Sequence, residues 1–92
     1  MRFIYPAVIS KTENGRYRAV FPDLEMCEAE GDSIVEVQRN AVQAAYDWID
    51  LELHEEDPLL PPSTDKRDIR TCEGETVCDI LVIYRMHEGW DE

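Results

Sequence analysis

Positive charge is what this sequence has least of. Nine Lys and Arg stand against 21 Asp and Glu, a net charge of −12 over 92 residues. Gripping a phosphate backbone or an anionic lipid surface needs cationic side chains, so the composition argues against nucleic acid or membrane as a direct partner. The acid surplus suits a basic protein partner, and it also serves plain solubility. Cysteine is sparse too. Three, an odd number, fit a reducing compartment better than a disulfide framework. Long apolar runs are missing. The opening M-R-F-I-Y-P-A-V-I-S has one basic residue, is interrupted by Pro6 and ends at Ser10. That is too short for a signal peptide with its cleavage site, and nothing later approaches the span of a bilayer. The expectation is a cytoplasmic protein. Its 92 residues make a single domain (1–92) large enough to fold without metal or disulfide staples, and no cofactor is expected.

What is present is organised around one helix, expected from Ser33 to about Leu53. Ile34, Val37, Ala41, Ala44, Trp48 and Leu51 recur at steps of three and four and so share a face. Val35, Val42, Ala45 and Ile49 flank them, while Glu36, Arg39, Gln43, Asp47 and Asp50 lie opposite, toward water. Ser33 can cap the first turn, and Glu36 can reach back to complete a capping box. Small residues at 41, 44 and 45 allow close approach by another element. No second helix of this strength is present, so the rest of the chain should supply the sheet that covers it.

Phe3 to Ser10 reads as a strand apolar on both faces, with Phe3, Tyr5, Ala7 and Ile9 on one side and Ile4 and Val8 on the other. Pro6 conflicts with an interior position because it lacks an N–H. Asn14-Gly15 is a strong hairpin signal before a second strand, Tyr17 to Phe21. Met26 to Glu30 forms a short third strand with Cys27 and Ala29 inward. A loop from about 55 to 75 contains Pro61-Pro62, which forbids helix and favours extended backbone. The last strand covers about 76–85, with Cys78, Ile80, Val82 and Tyr84 on one face and Leu81 and Ile83 on the other. It is either an interior strand or an edge strand covered by a second subunit. The expected architecture is α+β, in the order β-β-β-α-β. One helix packs on a four-stranded mixed sheet whose last strand runs parallel to one of the first three. Apolar residues on the uncovered face point to a homo-oligomer, a dimer or tetramer.

Several stretches carry a resemblance. They are Y-P-A-V-I (Tyr5 to Ile9), Y-R-A-V-F-P-D-L-x-x-C (Tyr17 to Cys27), G-D-S-I-x-E-V (Gly31 to Val37), Asn40-Ala41 and Pro61-Pro62-Ser63. In order and spacing they are similar to the HicB family of antitoxins. The resemblance implies a partial RNase H-like fold. It also implies a role as the antitoxin of a type II toxin-antitoxin system. The partner would be a HicA-type toxin, a small basic ribonuclease with a double-stranded-RNA-binding-like fold and a catalytic histidine, whose RNA surface the antitoxin occludes. Where the family usually has Pro-Gly, this chain has Glu25-Met26. Many members continue into an operator-binding domain, but only eight residues follow Tyr84 here, so direct DNA binding is not expected. Similar single-domain proteins also occur without a known toxin, which leaves a solitary RNase H-like oligomeric module as the alternative.

No catalytic residue is expected. Two-metal nuclease chemistry needs clustered carboxylates, and Phe3 to Ser10 has none; Asp79 and Glu36 stand apart. Cys72 and Cys78 are spaced too widely for a common zinc motif, and Cys27 and Cys78 suit the core. His54 suits the negative end of the helix. The candidate partner-binding residues are Asp23, Glu25, Glu28, Glu30 and Asp32 around the third strand, with Trp90 in the acidic tail. The five acids serve either as a solvated edge that deters sheet-to-sheet pairing or as a patch that steers a cationic surface. Trp90 is either a loose terminal residue or a docking anchor.

Overall fold

The computed structural model describes residues 1–84. Four strands, β1 (Arg2–Lys11), β2 (Tyr17–Val20), β3 (Glu28–Gly31) and β4 (Thr76–Ile83), form one sheet in the order β3-β2-β1-β4. The helix α1 (Ile34–Leu53) lies on one face, and a 3-10 turn, Lys66–Asp68, interrupts the long loop.

The β1–β2 hairpin closes as Asn14-Gly15 predicts. The Thr12 N–H donates to the Arg16 carbonyl at 2.7 Å and the Gly15 N–H to the Thr12 carbonyl at 3.1 Å. Gly15 sits at φ 82, the left-handed position a three-residue hairpin loop requires. The Thr12–Arg16 bond also sets the phase of the ladder. Bonded pairs recur every second residue, so Ser10–Arg18 and Val8–Val20 exchange bonds in this register. The next such pair would be Pro6 with Pro22, and neither has an N–H to give. The ladder stops there for want of donors. Pro6 therefore sits in an interior strand at no cost to the sheet, and it is buried.

Every neighbouring pair in the sheet is antiparallel, β4 on β1 included. This corrects the expectation of a mixed sheet: β4 runs the same way as β2, but it pairs only with β1, antiparallel. A helix following β3 directly into β4 would have made the two strands parallel. Instead, Gln38 near the start of α1 donates to the Cys78 sulfur at 3.4 Å, and Tyr84 Oη donates to Asp50 near the helix end at 2.6 Å. Helix and β4 thus run the same way, and residues 54–75 carry the chain back along the sheet between them. The Pro61-Pro62 stretch is extended, as expected, and is fastened on the way. Tyr5 Oη donates to the Pro61 carbonyl at 2.6 Å, and the Asp23 carboxylate accepts from Thr64 N–H and Oγ1 at 2.8 and 2.6 Å.

The helix begins where Ser33 predicts it, with Ser33 Oγ accepting from the Glu36 N–H at 3.1 Å. Glu36 reaches one residue further back than a standard capping box, to the Asp32 N–H at 2.7 Å. The buried stripe is rotated from the expected one. Val37, Ala41, Ala45 and Ile49 are fully buried, whereas Ile34 is 42 % and Leu51 70 % exposed; Ala44 and Trp48 pack at the margin. The cause is the close seat on β3. A Cβ on Gly31 would lie 2.6 Å from the Val37 nitrogen, so this row of the helix is pressed against bare backbone. Tyr5, Ala7, Ile9, Ala19, Phe21, Leu24, Cys27, Ile80, Val82 and Tyr84 complete the core. β3 begins two residues later than expected, because Met26 stands at φ 62 in a turn and is 92 % exposed.

Candidate partner interface

The β2–β3 register places Arg18 opposite Glu30 and Val20 opposite Glu28, so these side chains share the face turned away from the helix. Arg16 Nε donates to Asp32 at 2.8 Å and Arg16 Nη1 to Glu30 at 3.4 Å, while Arg18 pairs with Glu28 through Nε at 2.6 Å. All are solvent-facing pairs of the kind that contributes about 0–1 kcal/mol. They are easily exchanged for an outside cation. Glu25, exposed in the turn before β3, forms no ion pair among the described residues, and its backbone carbonyl accepts from Trp48 Nε1 at 3.0 Å.

Of the five acids singled out in the sequence, Glu25, Glu28, Glu30 and Asp32 follow one another along this exposed edge. Asp23 does different work, clamping Thr64 at the point where β2 leaves β1. Trp90 lies outside the described residues. Asn40 and Trp48 are the residues sequence reasoning placed poorly. Asn40 Nδ2 donates to the Glu30 carbonyl at 2.7 Å and Trp48 to that of Glu25, so both helix side chains cap the outer backbone of β3 and its approach. Their spacing of eight, two turns on one helix flank, was the available signal.

The interior near this edge is chemically quiet. Burial, then the charges of Asp47 and Glu28, push the Cys27 thiol up to about 11, which keeps it protonated and poorly nucleophilic. Burial, then the charge of Asp23, raises the Tyr5 phenol. Cys72 is exposed and Cys78 half-buried. Among the described residues, no group of three or more His, Cys, Asp and Glu is placed to hold a metal ion. His54 lies at the helix C-terminus, its Nδ1 2.7 Å from the Asp50 carbonyl. No helix of the described residues is long and apolar enough to cross a membrane.

A family model described as the HicB-like antitoxin of bacterial toxin-antitoxin systems matches residues 5–82. The chain belongs to the HicB-like antitoxin family. A chain of the "HicA3 and HicB3 toxin-antitoxin complex" is 28% identical, with a TM-score of 0.68 over 88% of this chain and 96% of the other. The N-terminal domain of the Burkholderia pseudomallei antitoxin HicB superposes with a TM-score of 0.74 over 91% of this antitoxin and all of the domain, at 14% identity. A toxin-antitoxin complex from Streptococcus pneumoniae gives 0.66 over 90% of this chain and 70% of that one, at 20% identity. These two share the fold. Comparison with curated proteins finds no match.

Proposed function

We propose that this antitoxin neutralises a small basic HicA-type ribonuclease in the cytoplasm by lying over its RNA-contacting surface. The observation that carries the proposal is the row Glu25, Glu28, Glu30 and Asp32 on one exposed edge, with only Arg16 and Arg18 among the described residues paired against it. An RNA-binding surface is cationic because it meets phosphates, and a row of carboxylates is its electrostatic complement. The excess acid steers encounter. Exposed Arg–Glu pairs then give way to intermolecular ones, and RNA is kept out by competition for the same cations. Trp90 is proposed as an apolar anchor beside this contact. No catalytic step is assigned to the chain. β1 carries no carboxylate from Phe3 to Ser10, Glu36 is engaged as a helix cap, and Asp79 stands apart on β4. Direct DNA binding is likewise left out of the proposal, since the charge opposes it.

The test pairs the antitoxin with a small basic HicA-type toxin and follows RNA cleavage. The antitoxin should suppress cleavage, and Glu25→Lys, Glu28→Lys and Glu30→Lys together should slow association by about tenfold or more at low salt, with a weaker salt dependence. Suppression that survives these changes undiminished would remove β3 from the interface. Failure to suppress cleavage at all would overturn the ribonuclease-antitoxin pairing.

A further inference from the structure

The other edge of the sheet is built differently. Met1 and Tyr84 exchange a pair of hydrogen bonds, 2.9 Å from the terminal amine to the Tyr84 carbonyl and 2.8 Å from the Tyr84 N–H to the Met1 carbonyl. That fixes the phase of the β1–β4 ladder. In the observed register the even-numbered residues of β4 bond to β1. Val77, Asp79, Leu81 and Ile83 therefore turn their N–H and C=O groups outward. No backbone hydrogen bond among the described residues closes that edge. Residues 63–67 line a hollow with Ile4 and Asp79, whose side chains lie on the sheet face turned away from α1, and the 3-10 turn Lys66–Asp68 packs near β4 there.

The side chains of these four residues share the face turned away from α1. Leu81 and Ile83 are about half exposed there, beside Ile4, which pairs with Leu81 across the ladder. The edge carries a single charge, Asp79. A long apolar edge strand left open is what soluble proteins avoid, by charge, by caps or by covering it.

We propose that two copies of the chain join along β4, antiparallel about a twofold axis, into one eight-stranded sheet. An antiparallel strand edge is self-complementary, so a second copy supplies every donor and acceptor required. One register uses all four outward residues: Val77 faces Ile83 of the second copy and Asp79 faces Leu81. A register one pair away sets Asp79 against Asp79, and like charges directly opposite are unfavourable. In the chosen register Ile83 of each copy packs on Val77 of the other, and Leu81 covers the stem of the other copy's Asp79. A basic partner would find its complementary acid at the far edge, on β3. This pairing is independent of the proposed ribonuclease contact and is tested on the chain alone.

The full chain should elute and scatter light with the mass of two chains, separating on dilution. Amide exchange should show Val77, Asp79, Leu81 and Ile83 protected in the dimer and unprotected in the dilute monomer, while Cys78, Ile80 and Val82 stay protected in both. Leu81→Pro removes one outward N–H and no intrachain bond, so it should leave a folded monomer. Leu81→Glu, which sets a carboxylate opposite Asp79 of the second copy, should weaken the dimer similarly and guards against a misfolded proline variant. A wild-type monomer at all concentrations, or a dimer whose four outward amides exchange freely, would overturn the proposal, as would a dimer unchanged by either substitution.

Discussion

The two edges of this sheet solve the same problem in opposite ways. At β3 the strand is four residues long, its outward residues are Glu28 and Glu30, and α1 reaches over to cap carbonyls with Asn40 and Trp48. At β4 the strand is eight residues long, with Leu81 and Ile83 half exposed and no cap among the described residues. The difference follows from where the helix sits. A helix is about 10 Å across, while four strands at about 4.8 Å spacing span more than that, so one helix cannot serve both edges. The absence of a Cβ at Gly31 draws α1 toward β3. What the helix covers, it also caps. What it leaves is open to another chain.

The comparison can be broken at Gly31. Gly31→Ala would set a methyl 2.6 Å from Val37 nitrogen and 2.9 Å from its Cα, and backbone cannot step aside as a flexible side chain can. A loss of about 3 kcal/mol is expected in denaturant unfolding, because overpacking here displaces the whole helix. Asn40→Ala keeps the helix seated and removes only the bond to the Glu30 carbonyl. About 1 kcal/mol should be lost, with faster exchange confined to the β3 side of the sheet. Met26 sharpens the comparison from the other direction. Its φ of 62 costs a side-chain-bearing residue roughly 1–2 kcal/mol. Met26→Gly relieves that but frees the unfolded chain, so a net gain of about 0.5 kcal/mol should appear in the melting temperature.

A further effect appears only at high pH. The Cys27 thiol is raised from its ordinary 9.0 to about 11 in the folded chain. Folding therefore holds that proton more tightly than unfolding does. Its contribution is fully present below pH about 9, declines as pH rises toward about 11, and is gone above. Cys27→Ala should flatten the fall in unfolding midpoint across that window, leaving the part that belongs to the raised Tyr5 phenol.

Much of this fold was legible in the sequence where chemistry is local. Ser33 marked the helix start, Asn14-Gly15 marked the hairpin, and period-two patterns assigned the faces of β1 and β4. The antiparallel pairing of β4 was not legible, because it depends on residues 54–75 doubling back. The fastenings of that segment, Tyr5 to Pro61 and Asp23 to Thr64, join residues far apart in the chain. Nor could periodicity choose between two overlapping stripes on α1, since ten apolar positions span both. The close seat on Gly31 decided it. Within the candidate site, the run of acids was visible as spacing. The separate work of Asp23 became visible only when Thr64 arrived beside it.

The two prolines that end the β1–β2 ladder also act on the chain while it folds. A hairpin can zip up wrongly by sliding two residues either way, which keeps every side chain on its proper face and so escapes correction by the core. Here each slide meets a stop. Sliding one way puts Pro6 opposite Val20, and sliding the other puts Pro22 opposite Val8, in each case at a position where a bond must be donated. The misaligned hairpin is thus always short of a bond that the correct one makes, and the antitoxin's first hairpin carries its own proofreading of register.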